Sequence, residues 1–530
     1  MLLTNARVHT LDPHNTTADS IVVRDGLIAF VGQQQEINPD AGEEALDLRG
    51  RVVLPGFVDS HAHLIGLARA ITSVDAGGLT SVDDVARTVA AAARERPRGA
   101  WIVGRGWDQS LWPGGGFPSY APLTAAAPDN PVALTRVDGH ATWVNAAAMR
   151  AAGINRGTED PPGGRLLRDA DGEPTGVLID LAQDLVRSVI PEPGEAETDA
   201  AIEQAIARCL SVGLTGVHEM GIGLETIDAY RRLIERGRFP FRNYAAVMGR
   251  SRSAWPAYRE RGPEIDPRGR LTIRAVKFLA DGALGSRGAA MHEPYRDAPD
   301  NTGLTLIEPA ELAHLTGEAA AAGFQPCIHA IGDRANTTVL DAFASVLDRY
   351  PGEDRRFRVE HAQILRREDI PRFRQLGVLP SMQQTHCTSD MRWAGDAIGP
   401  DRLAGAYAWR SLLDSGVIIL GGSDFPVEPP NPLYGIHAAV TRRPRDGDDP
   451  HWQPHQRMTR LDAIRSFTTW AAFGAFEEAI AGSIEPGKRA DLVVLDDDPF
   501  VCDAQHIASI PVAMTIVGGA IVHQANPAER

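Results

Sequence analysis

Lysine and cysteine are both scarce in this chain of 530 residues. Only Lys277 and Lys488 are lysines among its 53 basic residues, so arginine supplies almost every positive charge. A lysine kept against that bias needs an explanation in amine chemistry rather than in charge alone. The four cysteines are scattered and no two are spaced as CxxC, which argues against a disulfide framework and against a thiolate zinc site.

Long apolar runs and an excess of positive charge are also missing. No stretch is apolar enough to suggest a membrane span, and the first residues lack the basic and apolar segments of a signal peptide. The formal net charge of −16 argues against nucleic acids and anionic membranes as partners, because both attract basic proteins. We therefore expect a cytoplasmic enzyme that acts on a small molecule, and we expect it to form a homodimer.

Both chain ends have the pattern of short strands and turns. Apolar runs flank Asp25 and Gly26, which is a strong hairpin signal, and a second hairpin is indicated around Gly518 and Gly519. Neither end carries a helix large enough to cover such a sheet. The two ends are therefore predicted to pair as one small composite β-sandwich domain, residues 1–55 and 480–530.

Eight apolar segments, most of them separated by Ala-, Leu- and Arg-rich helical segments, occupy the middle of the chain. They are residues 56–61, 215–219, 243–248, 272–278, 325–329, 357–361, 378–382 and 417–421. This alternation is typical of an α/β fold with a parallel sheet, and eight such units close into a TIM-type (β/α)8 barrel. The barrel is predicted over residues 56–64 and 211–479, with its active site at the C-terminal ends of the strands.

A long insertion, residues 65–210, follows the first barrel strand and is rich in aromatic residues, among them Trp107 and Trp143. Insertions of this length in barrels commonly cover the active site or mediate oligomer contacts. We expect this lobe to lie over the active site and the two indoles to contact the substrate. The alternative is that both indoles pack in the core of the lobe, as buried aromatic residues generally do.

His61 and His63 follow the first predicted strand, in the segment Phe-Val-Asp-Ser-His-Ala-His. Residues two apart on a strand face the same side, so both imidazoles can reach one metal ion. A chain with 16 histidines can contain such a pair by chance, and two polar loop residues are an equal alternative. Their position at a strand end favours the metal site.

Lys277 lies in the fourth predicted strand, and its side chain is expected to point into the barrel. An ion pair with a carboxylate such as Asp281 is the alternative, but this chain would make such a pair with arginine. A deprotonated amine can also take up CO2 to form a carbamate, whose two oxygens can bridge two metal ions. The arginine bias favours this metal-site role.

His329, His361 and Asp424 close or follow the fifth, sixth and eighth predicted strands. Each alone has an ordinary explanation, either a hydrogen-bonded core histidine or an aspartate that caps a turn. Together they gather where the catalytic groups of a barrel lie, and neutral imidazole is the commonest protein metal ligand. An aspartate there can also move protons for an attacking water. His140 and His218 are further candidates to face the pocket.

Taken together, these motifs resemble the amidohydrolase superfamily, and in detail its YtcJ-like branch, which includes the N-substituted formamide deformylases. The matching segments span nearly the whole chain in the order of the family: residues 54–63, 136–140, 276–287, 329–335, 358–363, 422–427 and 482–492. The resemblance implies the same barrel, the same composite β domain and the same insertion after strand one. Lys488 falls in the family's turn before the last strands, where its role would be structural.

The resemblance also implies a site for one or two metal ions, with zinc as the usual metal. The implied ligands are His61 and His63 with Asp424 for one ion, His329 and His361 for the other, and a carboxylated Lys277 as the bridge. Asp424 would in addition be the catalytic proton acceptor. His140 and Arg287 are expected to orient the substrate or to stabilise the oxyanion.

The function expected from this site is hydrolysis of a non-peptide C–N bond, foremost in an amide or an N-substituted formamide, by metal-activated water. The aromatic lobe suggests an apolar or aromatic substituent on the nitrogen. The same site would also suit deamination, hydrolysis of a carbamate or a cyclic imide, or a dehydration. A catalytically inactive scaffold is the remaining alternative, and the presence of all six implied ligands argues against it.

Overall fold

The structure of the protein, a computed structural model, describes residues 1–37, 44–191, 193–446 and 452–525. The chain divides into two compact units. Unit 1 comprises Met1–Leu64 and Ala205–Arg530, and unit 2 comprises Ile65–Gln204, where the sequence predicts an insertion over 65–210. Within the described ranges, no helix is both long and apolar enough to cross a membrane.

Strands from the two chain ends form two small sheets in unit 1. These strands are β1 (Leu2–Thr4), β2 (Arg7–His9), β3 (Thr17–Ala18), β4 (Ser20–Arg24), β5 (Leu27–Gly32), β6 (Ala45–Asp47), β7 (Val52–Pro55), β22 (Leu492–Leu495), β23 (Val512–Val517) and β24 (Ala520–Gln524). The sheet orders are β5-β4-β1-β6 and β24-β23-β22-β7-β2-β3. The second sheet joins the ends because β22 pairs antiparallel with β7.

The predicted turns have the backbone that such turns require. Asp25 and Gly26 connect β4 to β5, and both have positive φ, at 50° and 77°. A two-residue loop with two positive φ angles matches the twist of the flanking strands. Gly518 and Gly519 connect β23 to β24 with positive φ in the same way.

Eight parallel strands form the barrel of unit 1. They are β8 (Phe57–Ala62), β15 (Leu214–Ile222), β16 (Arg242–Met248), β17 (Leu271–Leu279), β18 (Gln325–Ala330), β19 (Arg358–His361), β20 (Leu379–Gln383) and β21 (Leu420–Gly422). Each pairs with its neighbour in chain order, from β8 to β21. This barrel, the composite sheets and the insertion confirm the predicted fold class. The eighth strand is predicted over residues 417–421, but its pairing with β20 begins at Leu420. Val417 and Ile419 are buried, as their apolar character indicates, but they do not pair with β20.

The barrel closes where β8 meets β21, and a buried carboxylate bonds across this seam. Asp59 accepts hydrogen bonds from the Ser423 backbone N–H, at 3.1 and 3.0 Å, and from the Ser423 hydroxyl at 2.6 Å. The Asp424 N–H also donates to the His61 carbonyl at 2.7 Å. A Cβ at Gly422 would lie 2.8 Å from an Asp59 oxygen, so only glycine fits this approach.

Helices alternate with the barrel strands along the chain. They are α7 (Leu224–Glu235), α8 (Ala254–Arg261), α9 (Pro309–Ala321), α10 (Asp333–Leu347), α11 (Ile370–Leu376), α12 (Gln384–Asp390), α13 (Ala394–Ile398), α14 (Pro400–Leu403), α15 (Trp409–Asp414), α16 (Pro432–Thr441), α17 (Arg460–Ser466) and α18 (Thr469–Gly474). Helix α11 ends at Gly377 in the left-handed conformation, a common helix stop.

Unit 2 is a mixed sheet with short helices. Its strands are β9 (Val74–Asp75), β10 (Ile102–Trp107), β11 (Val132–Arg136), β12 (Ala141–Val144), β13 (Gly164–Arg168) and β14 (Pro174–Asp180), in the order β13-β14-β12-β11-β10-β9. Its helices are α1 (Leu64–Ile71), α2 (Val82–Arg94), α3 (Ala121–Ala126), α4 (Ala146–Ala151), α5 (Asp184–Arg187) and the first part of α6 (Glu195–Ser211). Ser81 caps α2 by accepting from the Asp84 N–H. The unit has its own apolar core.

Candidate metal centre

Three side chains from separate strand ends meet at the C-terminal end of the barrel. His61 lies in β8, His361 ends β19, and Asp424 follows β21. Their ligand atoms all lie within 4.8 Å of one another, and all three residues are buried. Parallel strands bring these positions together because their C-terminal ends share one face of the barrel. The arrangement can hold a metal ion.

His63 and Lys277 lie next to this cluster. The Nε2 atom of His63 is 3.0 Å from Oδ1 of Asp424, and Nζ of Lys277 is 3.3 Å from Nε2 of His61. Lys277 is 4% exposed, and burial lowers the pKa of its amine. Asp281, the alternative partner of Lys277, accepts instead from the backbone N–H groups of Ala290, Ile331 and Gly332.

His329 lies beside the cluster, next to His361. The two rings lie 4.5 Å apart between centroids. Nε2 of His329 is 3.4 Å from Oδ1 of Asp281 and 3.4 Å from the carbonyl oxygen of Gly282. The structure thus gathers all six predicted ligands in one region, with His61, His361 and Asp424 as the tight group and His329 at its edge.

The ring orientation of two candidate ligands, His61 and His361, is fixed by buried side chains behind them. Nδ1 of His61 is 2.6 Å from Oε2 of Glu360, and Nδ1 of His361 is 2.7 Å from Oε1 of Gln383. With Nδ1 engaged, Nε2 of each ring is left to face the cluster. Burial lowers the pKa of His61 to about 4, which keeps its imidazole in the neutral, metal-binding form.

Glu360 is itself held by Arg358 in a fully buried pair. Nε of Arg358 is 2.8 Å from Oε1 of Glu360, and the same guanidinium contacts the Ser60 carbonyl and Nδ1 of His218. Burial opposes charge on Glu360, but Arg358 and His61 outweigh it and hold the pKa of the carboxyl well below its usual range. His218, a further candidate from the sequence, is therefore part of this buried network.

Asp424 is held as a carboxylate in a strained backbone conformation. Its φ is 59°, in the left-handed region. Burial opposes its charge, yet the surrounding His61, His63 and His361 hold the pKa of its carboxyl well below the usual range. Strain of this kind persists where the surrounding structure enforces it, as in active sites.

Arg287 and His140, which are expected to contact the substrate, each form a hydrogen bond with an aspartate. Arg287 bonds the Asp297 carboxylate through Nε at 3.0 Å, and its guanidinium lies 5.3 Å from the ring centroid of Trp393. His140 lies in unit 2, where its Nδ1 is 2.9 Å from Oδ1 of Asp180. Burial opposes protonation of His140, but the hydrogen bond with Asp180 outweighs it and raises the pKa of the imidazole.

The two indoles expected to contact substrate are packed in the core of unit 2. Trp107 and Trp143 are both 0% exposed, and their ring centroids lie 6.1 Å apart. Each indole N–H donates to a backbone carbonyl, that of Leu134 for Trp107 and that of Ser119 for Trp143. The structure therefore favours the core alternative, because these side chains have neither free surface nor a free donor.

Sequence reasoning missed four residues that shape this centre: Asp59, Glu360, Gln383 and His386. His386 lies in α12, with its ring parallel to that of His361 at 6.1 Å and its Nε2 4.0 Å from Oδ2 of Asp424. A signal for it existed, because it follows the seventh barrel strand as the predicted ligands follow theirs. Glu360 and Gln383 carried no such signal, since their partners are distant in the chain.

The chain is similar to known proteins over nearly its whole length. The amidohydrolase family profile matches residues 44–523. YtcJ of Bacillus subtilis (strain 168) is 34% identical over 528 residues, covering 98% of each chain. The N-substituted formamide deformylase of Arthrobacter pascens is 31% identical over 546 residues, covering 99% of this chain and 98% of that one.

A solved structure is similar over almost the same extent. The crystal structure of a metal-dependent hydrolase from Pyrococcus horikoshii OT3 has a TM-score of 0.79 and 27% sequence identity, covering 95% of this chain and 99% of that one. The strand-end cluster, the barrel that presents it and these matches lead to one conclusion. The chain belongs to the amidohydrolase family, a family of metal-dependent hydrolases.

Proposed function

We propose that this protein is a metal-dependent hydrolase of a non-peptide carbon–nitrogen bond, with N-substituted formamides as its substrate class. The observation that carries the proposal is the buried cluster of His61, His361 and Asp424. Similarity to the N-substituted formamide deformylase over 99% of the chain supports the choice of substrate. The similarity to the deformylase supports the substrate class, and the buried cluster supports metal-dependent hydrolysis.

The donor set fits a divalent ion. Nε2 of His61 and of His361 face the cluster because their Nδ1 atoms are engaged by Glu360 and Gln383. Two imidazoles and the Asp424 carboxylate are ligands that zinc accepts. We propose zinc, as one or two ions, and we propose that His63 and His329 are further metal ligands.

Lys277 is proposed to complete the site as a carbamate. Its Nζ lies 3.3 Å from Nε2 of His61, and burial lowers the pKa of the amine. A neutral amine is the form that combines with CO2; a proton is released, and the carbamate would place two oxygens that share one negative charge beside His61. Lysine differs from arginine in losing its proton readily when buried.

The chain's own residues would move the protons of the reaction. A bound divalent ion would lower the pKa of a coordinated water from about 15.7 towards 7 and polarise the substrate carbonyl. Asp424, kept ionised by its neighbours, would accept the proton of the attacking water and pass it to the leaving nitrogen. The C–O bond forms and the C–N bond breaks, so a formamide yields formate and an amine.

The test combines metal content with a substrate panel. Purified protein would be analysed for metal by mass spectrometry and assayed with N-benzylformamide, N-acetylbenzylamine, a benzyl carbamate, a cyclic imide and a dipeptide. We expect bound zinc, and formate and benzylamine in equal amounts, with the formamide hydrolysed fastest. Faster turnover of the imide or the dipeptide would replace the proposed substrate class. A metal-free, inactive protein would contradict the proposed reaction as a whole.

Partner and location stay predictions from composition. The net charge of −16 supports the expectation of a small-molecule substrate without nucleic acid or membrane partners. The homodimer and the cytoplasmic location are likewise expectations. Light scattering on the purified protein checks the first of these, and fractionation of cells the second.

A further inference from the structure

His386 presents a buried ring nitrogen without a hydrogen-bond partner at the candidate metal centre. The residue lies in the first turn of α12, directly after β20, and its side chain is 14% exposed. Among the described residues, no atom lies within hydrogen-bond reach of its Nε2, although that atom is shielded from solvent. A buried polar group left unpaired costs about 1–3 kcal/mol, so it needs a reason.

The ring is directed at the reacting centre. It is stacked on His361 with an interplanar angle of 9°, and its Nε2 is 4.0 Å from Oδ2 of Asp424. That distance is too long for a hydrogen bond with the carboxylate. The nitrogen therefore lies beside the proposed metal ligand His361 and the proposed proton acceptor Asp424, and is bonded to neither.

His386 lines a narrow crevice beside the candidate metal centre. The crevice is lined by His361, Gln363, Met382, Gln383, His386 and Tyr407. When water adds to an acyl carbon, the acyl oxygen gains negative charge while the nitrogen gains a proton. A fixed N–H donor stabilises the oxygen and not the nitrogen, and it does so most strongly where water is excluded.

We infer that His386 is a catalytic residue that donates a hydrogen bond from Nε2 to the acyl oxygen of the substrate. The inference rests on the proposed hydrolysis of an acyl C–N bond, and it adds the residue that stabilises the developing oxyanion. It requires only the neutral imidazole with its proton on Nε2. Metal binding does not require His386.

The first test compares His386→Leu with His386→Gln, using His314→Leu on the exposed face of α9 as the control. Glutamine keeps an N–H donor close to the position of Nε2, and leucine keeps only bulk. We expect all three variants to keep wild-type metal content. His386→Leu should lose about 10²–10³-fold in kcat with little change in KM, and His386→Gln should recover part of that loss.

Two readouts separate a hydrogen bond to the oxygen from a packing role. A thioformamide is a poor hydrogen-bond acceptor. The ratio of the kcat for a formamide to the kcat for its thioformamide should therefore be lower in His386→Leu than in the wild type. Methylphosphonate, a tetrahedral anion, should bind metal-loaded His386→Leu about tenfold or more weakly than wild type by calorimetry. That binding measurement needs no turnover, so it stands even if the proposed substrate is wrong.

Three outcomes would overturn the inference. Loss of metal from His386→Leu would make the residue a ligand. Equal rates for the Gln and Leu variants with an unchanged oxygen-to-sulfur preference would make its role packing. Unchanged methylphosphonate affinity would show that the donor does not reach a tetrahedral anion. If the wild type prefers another acyl substrate, the same variants are compared on it, and only the proposed substrate class fails.

Discussion

Lys277 shows at the scale of a single residue why an amine survives in a chain that otherwise uses arginine. It is buried beside His61, where burial lowers the pKa of its amine. Lys488, the other lysine, donates to the Ser483 hydroxyl at 2.6 Å and pairs with Glu485 at 2.8 Å. The buried amine of Lys277 suits the carbamate proposed above, whereas the position of Lys488 calls only for a positive charge.

Replacing Lys277 with arginine should therefore be as damaging as replacing it with alanine. We expect Lys277→Arg and Lys277→Ala each to keep less than about a tenth of the wild-type metal and activity, because neither can form the carbamate proposed for Lys277. Lys488→Arg is the matched control and should keep both. Short carboxylic acids should partly restore Lys277→Ala. Normal metal content in Lys277→Arg, measured by mass spectrometry, would make the site independent of a carbamate.

Replacing Asp424 with asparagine should distinguish its role in metal binding from its role in proton transfer. Asp424→Asn keeps an oxygen ligand but cannot accept the proton of water, so kcat should fall about 10²–10⁴-fold while much of the metal stays bound. Metal analysis and steady-state kinetics on the same preparation check this. Near-normal turnover would assign the proton to another group.

Glu360 should tune metal affinity without touching the metal. It fixes the ring of His61 through Nδ1, and partners of this kind are typically worth 10–100-fold in metal affinity. Glu360→Gln should weaken zinc binding by about that factor, measured by competition with a chelator. Glu318→Gln, which removes a surface partner of Arg259, is the control. Equal affinity in the wild type and Glu360→Gln would mean that the negative charge of Glu360 does not contribute to metal affinity.

At the scale of elements, the sheet of unit 2 depends on its indoles. Trp107 on β10 and Trp143 on β12 pack against each other, and Trp107 donates to Leu134 on β11. Trp107→Ala should lower the free energy of unfolding by about 3–5 kcal/mol, with Trp107→Phe milder. Denaturant unfolding followed by circular dichroism checks this.

The same variants address the expectation that these indoles select substrates. A core role predicts that Trp107→Phe slows small and aromatic formamides by the same factor. A change in their rate ratio with unchanged stability would restore the substrate contact that the sequence suggested.

At the scale of the whole molecule, the two chain ends are joined by a buried carboxylate as well as by strand pairing. Asp498 accepts from Arg7 at 3.1 Å and lies 3.1 Å from Nε2 of His9. Burial opposes its charge, but hydrogen bonds with His9, Phe500 N–H and Arg7 outweigh burial and lower its pKa to about 2. The carboxylate therefore ties residues near the N-terminus to the last part of the chain.

Asp498→Asn should weaken this link in a pH-dependent way. A carboxyl whose pKa is lower in the folded state stabilises the fold above its unfolded pKa, and that contribution is lost as pH falls from about 4 to about 2. At pH 7 we expect a loss of about 1–2 kcal/mol, reduced by screening at the partly exposed Arg7. The difference from wild type, measured by denaturant unfolding, should shrink below pH 4. A pH-independent difference would mean that shape and not charge matters there.

Much of the architecture could be predicted because its signals are local. Strand periodicity, the paired turn residues at Asp25 and Gly26, and polar residues at strand ends each depend on a few neighbours in the chain. Apolar runs proved less exact at strand boundaries: Val417 is buried as the sequence indicates, yet the ladder begins at Leu420. Burial and backbone pairing are different properties, and an apolar run reports only the first.

The sequence by itself determined the barrel, the union of the chain ends and the residue types at the candidate centre. Only the tertiary structure decided which side chains form hydrogen bonds with those residues and which polar atoms near the centre have no hydrogen-bond partner. Glu360 meets His61 across 299 positions of chain, and Asp59 meets Ser423 across 364. The free nitrogen of His386 likewise emerges only from packing. Hydrogen-bond partners and burial are set by the approach of distant segments, and no pattern within one segment specifies them.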